Sequence, residues 1–251
     1  MGWLRVTVGN GLQGRVLGVR GDIGGFSAFA MSIVTSAYFV GFLGGSRMTP
    51  TMIRRVGHVR VFAALGSFIS AVLILYPTWT DPWAWTLMRV IIGFCFSGVY
   101  VTAESWLNNS ADNQNRGKAL SLYMIMQMLG IIIAQALLLV ADPGGYVLFV
   151  IISVLVSVSF APILLSVSPT PAFEATKPKT LREIMEISPL GCVGMFLLGG
   201  VFAAHSGMTA VYGTQVVPAL GQLSLSVSSF HLRATCLSYA LRLPPPLLRR
   251  R

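Results

Sequence analysis

Five apolar stretches, at 26–45, 61–77, 83–103, 119–140 and 145–165, are each bounded by charges or Pro/Gly turns. Each comes close to the roughly 20 residues a helix needs to cross a bilayer core of about 30 Å. Composition rules out water as the main solvent. Apolar residues make up 54% of the 251 and charged residues only 10%, whereas a soluble domain needs about a quarter of its residues charged to cover its cores. Mean hydropathy is +0.73. The chain therefore reads as all-α, a polytopic transmembrane helix bundle in contact with lipid.

A weaker stretch at 4–19 is interrupted by Arg5, Asn10, Gln13 and Arg15, and reads as a first span that is short or lacks its beginning. No cleavable signal precedes it. Another run, 190–212, opens a further set of helices. Between the sets, 166–189 holds Pro169, Pro171 and Pro178 among Lys, Arg and Glu residues, the composition of an aqueous linker. The expected organisation is a six-helix bundle over 1–165, a cytoplasmic linker over 166–189, a seventh helix over 190–215 and a basic tail over 216–251. After Gln215 the pattern breaks into a Ser/Leu/Pro/Arg-rich segment, which reads as an aberrant or truncated end.

The formal net charge of +10 does not point to nucleic acid, because the cations form no aromatic-interleaved face. They collect in alternate loops: Arg47, Arg54, Arg55 and Arg60, then Arg116 and Lys118, then Lys177, Lys179 and Arg182. The positive-inside rule places those loops in the cytoplasm and the short loops with Asp81 and Asp142 outside. Trp79, Trp83 and Trp85 surround the turn at 77–82, where interfacial aromatics anchor helix ends. Cys95, Cys192 and Cys236 form no CxxC pair and read as packing residues, with no metal implied. No HExxH, GxSxG or phosphate-binding glycine loop occurs, and no span holds paired carboxylates. The reading is not an enzyme, with no catalytic residues and no cofactor.

Three segments carry more information. The segment 44–60, GGSRMTPTMIRRVGHVR, joins the second and third helices. On the fourth helix, Arg89, Gly93, Ser97, Tyr100 and Glu104 fall on one narrow stripe at about 100° per residue. An Arg within a span costs about 2.5–3.5 kcal/mol on insertion scales, so Arg89 either lines a cavity or snorkels outward past Trp83, and the cavity is the favoured reading. On the fifth helix, Tyr123, Gln127, Gly130 and Ala134 share a face, with Gln127 near the bilayer midplane. Gln127 suits either solute contact or an interhelical hydrogen bond. Ala37, Gly41 and Gly45 recur every four residues on the second helix and read as a close-packing stripe.

These segments together resemble the major facilitator superfamily. In 44–60, Arg55 and Gly57 match that superfamily's inner-loop motif and His58 stands at a basic slot. Arg54 replaces the usual Asp, Pro50 the leading Gly, and Val59 the last basic residue, with Arg60 one place beyond. The fourth-helix pattern of an Arg with Gly four residues on matches Arg89 and Gly93. The string from Glu104 to Asn109 and the Arg116-Gly117 pair resemble the loop entering the fifth helix. The GHVR and ESWLN strings together resemble a bacterial subgroup, and the likeness covers roughly residues 10 to 215.

The resemblance implies a transporter moving a small solute by alternating access in a bacterial inner membrane, with about half of the fold in this chain. It implies a substrate pathway at Arg89, Ser97, Tyr100, Tyr123 and Gln127, and gating residues Arg55, Gly57, Arg60 and Glu104. With Arg54 in the acid's slot, Glu104 is expected to pair with Arg55 or Arg60. The fifth-helix motif of drug/proton antiporters is absent. Proton coupling stays open, and His205, without an acidic neighbour, reads as packed. One half cannot close a cavity, so a homodimer or a non-transporting membrane fragment are the alternatives.

Overall fold

The structure, a computed structural model, describes residues 2–110, 115–142, 144–164 and 180–201. These residues fall in two units, one holding the described residues up to 164 and the other those at 180–201. In the first, six helices run alternately up and down: α1 (Gly2–Ile23), α2 (Ala28–Val56), α3 (His58–Thr78), α4 (Pro82–Ser110), α5 (Arg116–Leu137) and α6 (Val147–Leu164). Four of them, α2 to α5, are long and apolar enough to cross a membrane by themselves. α1 has the length, about 33 Å at 1.5 Å per residue, but carries arginines and amides. α6 is apolar throughout and shorter.

Pairing between the helices has an internal symmetry. α2 packs on α4 and α5 on α1, α3 packs on α4 and α6 on α1, and α3 packs on α6. Exchanging the first three helices with the last three reproduces this set. Because α1 and α4 run in opposite directions, the two triplets are an inverted repeat.

Close approach defines the α2–α4 pair. A Cβ at Gly41 would strike the Val90 carbonyl, and one at Gly93 the Tyr38 carbonyl. Between helices in lipid, packing and interhelical hydrogen bonds replace the hydrophobic effect as the source of association, so backbone contact of this kind is what small residues provide. The stripe of Ala37, Gly41 and Gly45 is a packing seam. Across α3 and α6, Ser70 Oγ lies 2.6 Å from Ser153 Oγ and 2.8 Å from Ser157 Oγ.

Several boundaries differ from the sequence reading. α2 continues to Val56 through Pro50, and α3 starts at His58, so the expected loop is helical except for Gly57. There φ is 84° and ψ 163°, a region open essentially to glycine alone. α4 likewise absorbs the expected loop as far as Ser110. Charges ended the apolar runs, but charges do not end helices; they mark only where apolar solvent must stop. Trp85 is a second correction: it is buried, and its indole N–H donates to the carbonyls of Tyr76 at 3.2 Å and Trp79 at 2.8 Å. It fastens the α3–α4 turn from inside, whereas Trp79 and Trp83 are exposed.

The second unit contains α7 (Leu181–Ile187) and α8 (Pro189–Val201), which meet at 117°. α7 is capped by reciprocal hydrogen bonds between Thr180 and Glu183. The remainder of the linker, the end of the seventh span with His205, and the tail from residue 216 lie outside the described residues.

Candidate functional site

Arg89 is the one buried Lys, Arg, Asp or Glu among the described residues, 6% exposed. Its Nη1 donates to Gln13 Oε1 at 3.1 Å, its guanidinium lies 5.4 Å from the Tyr38 ring centroid, and its Nε has no partner. A guanidinium can only donate, so Gln13 must turn its oxygen to Arg89 and its NH2 elsewhere. That NH2 donates to Asn10 Oδ1 at 3.1 Å. Asn10 Oδ1 also accepts from the Tyr38 hydroxyl at 3.2 Å, and Asn10 Nδ2 donates to the Tyr100 oxygen at 2.8 Å. Every amide in the series is thus oriented by the charge on Arg89. The result is a polar network joining α1, α2 and α4 inside an apolar bundle, where among the described residues the ring face of Tyr38 and one amide oxygen are what offsets a full positive charge.

Below Tyr100 the network passes to aromatic contacts. Trp3 meets Tyr100 edge-on with centroids 5.2 Å apart and stacks on Tyr123 at 4.6 Å. The Tyr123 hydroxyl donates to Glu104 Oε1 at 2.9 Å, tying α5 to the end of α4. At the same end of the bundle, Gly57 donates its N–H to Ile53 O at 2.8 Å and caps α2. His58 is buried beside it, with Nε2 3.1 Å from Ser105 Oγ and its ring 6.1 Å from that of Trp106. The GHVR and ESWLN strings therefore meet in space.

Of the residues expected along the pathway, the structure connects Arg89 and Tyr100 by hydrogen bonds and reaches Tyr123 through Trp3. Ser97 lies elsewhere: it is fully buried against α2, where a Cβ at Gly45 would stand 3.0 Å from its Cβ, and its hydroxyl has no partner. Gln127 is half-buried on α5. The expected pair of Glu104 with Arg55 or Arg60 is not formed among the described residues; all three are exposed, and the carboxylate takes the Tyr123 hydroxyl instead.

Asn10, Gln13, Tyr38 and Trp3 were not singled out as site residues by the sequence reading. Asn10 and Gln13 appeared only as defects in the weakest span. Their signal was the three-residue spacing, which places two amides on one helical face. Arg5 and Arg15, the other interruptions of that span, bind the Val158 carbonyl and the Gln135 side chain, and Arg20 near the end of α1 binds the Gly144 carbonyl.

Comparison with known proteins agrees with this architecture. The family model described as Major Facilitator Superfamily matches residues 11–241. The MFS-type transporter YcaD of Salmonella arizonae is 26% identical over 186 residues, which cover 72% of this chain and 48% of that protein. Its counterparts from Salmonella newport and Salmonella typhimurium are each 25% identical over the same length. The chain spans about half the length of the curated relatives it matches.

Proposed function

The chain belongs to the major facilitator superfamily and is a multi-pass membrane protein, and from that premise we propose that it moves a small solute by alternating access. The observation that carries the proposal is the Arg89–Gln13–Asn10–Tyr100 network. Buried polar groups in a membrane bundle are costly and mark solute or ion pathways. Here they line α1 and α4, equivalent helices of the two inverted triplets, which is where transporters built from such repeats bind solute.

In this reading Arg89, Tyr100 and Tyr123 border the pathway and Gln127 extends it on α5, whereas Ser97, on α4, faces the seam with α2. The inner gate consists of Gly57, Arg55 and Arg60 at the α2–α3 junction and Glu104 at the end of α4. These residues face the cytoplasm of a bacterial cell, in its inner membrane. A second copy of the chain supplies the opposite wall of the cavity.

The alternative is a non-transporting membrane fragment acting through helix contacts. Thiol accessibility separates the two. With Cys95, Cys192 and Cys236 replaced by serine, Gln127→Cys in proteoliposomes of fixed orientation should react with an impermeant maleimide added to either face. Reaction from a single face under all conditions would leave only the fragment reading.

A further inference from the structure

We propose that the solute is an anion whose negative group is bound by the Arg89 guanidinium between α1, α2 and α4; this rests on the transporter reading of the same site. The inference starts from a missing counter-charge. Arg89 is buried, its visible partners are neutral, and Nε has no acceptor. The described acids Asp22, Asp81, Glu104 and Asp142 of this unit are all exposed. Glu104 shares the helix but lies 15 residues on, about 22 Å along the axis, and is engaged by Tyr123.

The sequence holds eight acids, and none lies within an apolar run deeper than Glu104. A second copy of these same residues brings no deeper acid to Arg89. The arginines of α1 are half-buried and likewise bind neutral oxygens: Arg5, Arg15 and Arg20 meet those of Val158, Gln135 and Gly144. Among the described residues, the buried charge of this bundle is therefore positive, with no buried carboxylate to repel an incoming anion. A bound carboxylate, phosphate or sulfonate supplies the acceptor that Nε lacks and forms charge-assisted hydrogen bonds with a guanidinium fork suited to planar anions. Tyr38 is placed beside the charge, and Asn10 and Gln13 are already aligned by it.

Binding is tested on the full chain in detergent by the rise in unfolding temperature. The probes are acetate, benzoate, inorganic phosphate and methanesulfonate, with acetamide and benzamide as neutral counterparts at equal ionic strength. A saturable rise with at least one anion, absent with its neutral counterpart, is expected. Arg89→Gln should weaken it by about tenfold or more, and Arg89→Lys should keep part of it. Gln13→Glu supplies the missing acid beside Arg89, holds the fold by an internal ion pair, and should abolish the rise even if Arg89→Gln misfolds.

A rise that survives Gln13→Glu, or one matched by the neutral counterparts, overturns the proposal. No rise with any of the four anions also overturns it. Two-sided thiol access without anion binding removes this inference alone. Anion binding that depends on Arg89 but with one-sided access removes the transporter reading and leaves the anion site.

Discussion

Gly41→Ala adds a single methyl group at the tightest point of the α2–α4 seam. Its Cβ would strike the Val90 carbonyl oxygen and stand 2.7 Å from the carbonyl carbon and 2.9 Å from the Phe94 nitrogen. All three are backbone atoms of a helix, so no rotamer change can clear them. Clearing all three atoms to ordinary contact requires the two helices to separate by more than about 1 Å, and a gap of even about 0.5–1 Å forfeits a quarter to a half of each dispersion well along the seam. Overpacking of this kind costs about 1–3 kcal/mol, against a helix-propensity gain of up to about 1 kcal/mol for replacing glycine. Gly18→Ala in α1 is the control, because its Cβ meets nothing within 4 Å. Thermal or SDS-induced unfolding in mild detergent, followed by circular dichroism, should place Gly41→Ala below wild type and Gly18→Ala at or above it. Gly93→Ala should behave like Gly41→Ala, and the double variant should lose less than the sum, since one separation accommodates both methyls. An unfolding midpoint for Gly41→Ala equal to that of Gly18→Ala would refute the backbone contact.

Three further outcomes are expected. Glu104→Gln and Tyr123→Phe should couple by about 1 kcal/mol in a double-mutant cycle on unfolding, whereas Glu104→Gln and Arg55→Gln should be additive; coupling only in the second pair would restore the arginine latch. Gly57→Ala should destabilise by about 1–3 kcal/mol because alanine must occupy φ 84° there, and a midpoint equal to wild type would show that the junction has relaxed. Single cysteines at 81 and 142 should label from outside the cell and one at 54 from the cytoplasm, with the reverse pattern inverting the topology.

The bundle was legible because bilayer thickness sets a length that apolar runs reveal directly, and each of the five clear runs falls on a helix. The helix ends were not, because the sequence signals the edge of hydrocarbon and not the end of hydrogen bonding. Gly57 alone breaks 44–60, through a backbone conformation open essentially to glycine, and no end was read there because the whole segment was expected to be a loop. Thr180 and Glu183 show the opposite failure, a three-residue capping spacing that was present in the linker and passed over. The capped turn is local and needs no partner, so nothing beyond those two residues was required to see it.

The site was half legible for a reason tied to its chemistry. Arg89 stood out because a charge within an apolar run cannot face lipid, and the stripe through Tyr100 followed from helical geometry. Its partners lie on α1, where the same polarity that makes Asn10 and Gln13 useful makes the helix look like a poor span. Hydropathy counts polar residues as faults whichever way they face. In a bundle whose outer surface is lipid, however, each such residue must point inward, so the most interrupted span is the one to search first for the site. That rule selects α1 here: its interruptions Arg5, Asn10, Gln13 and Arg15 all find a partner on another helix. Applied to the relatives of twice this length, it directs attention to whichever span of their second half carries the most polar residues, and above all to whether that span holds an acid.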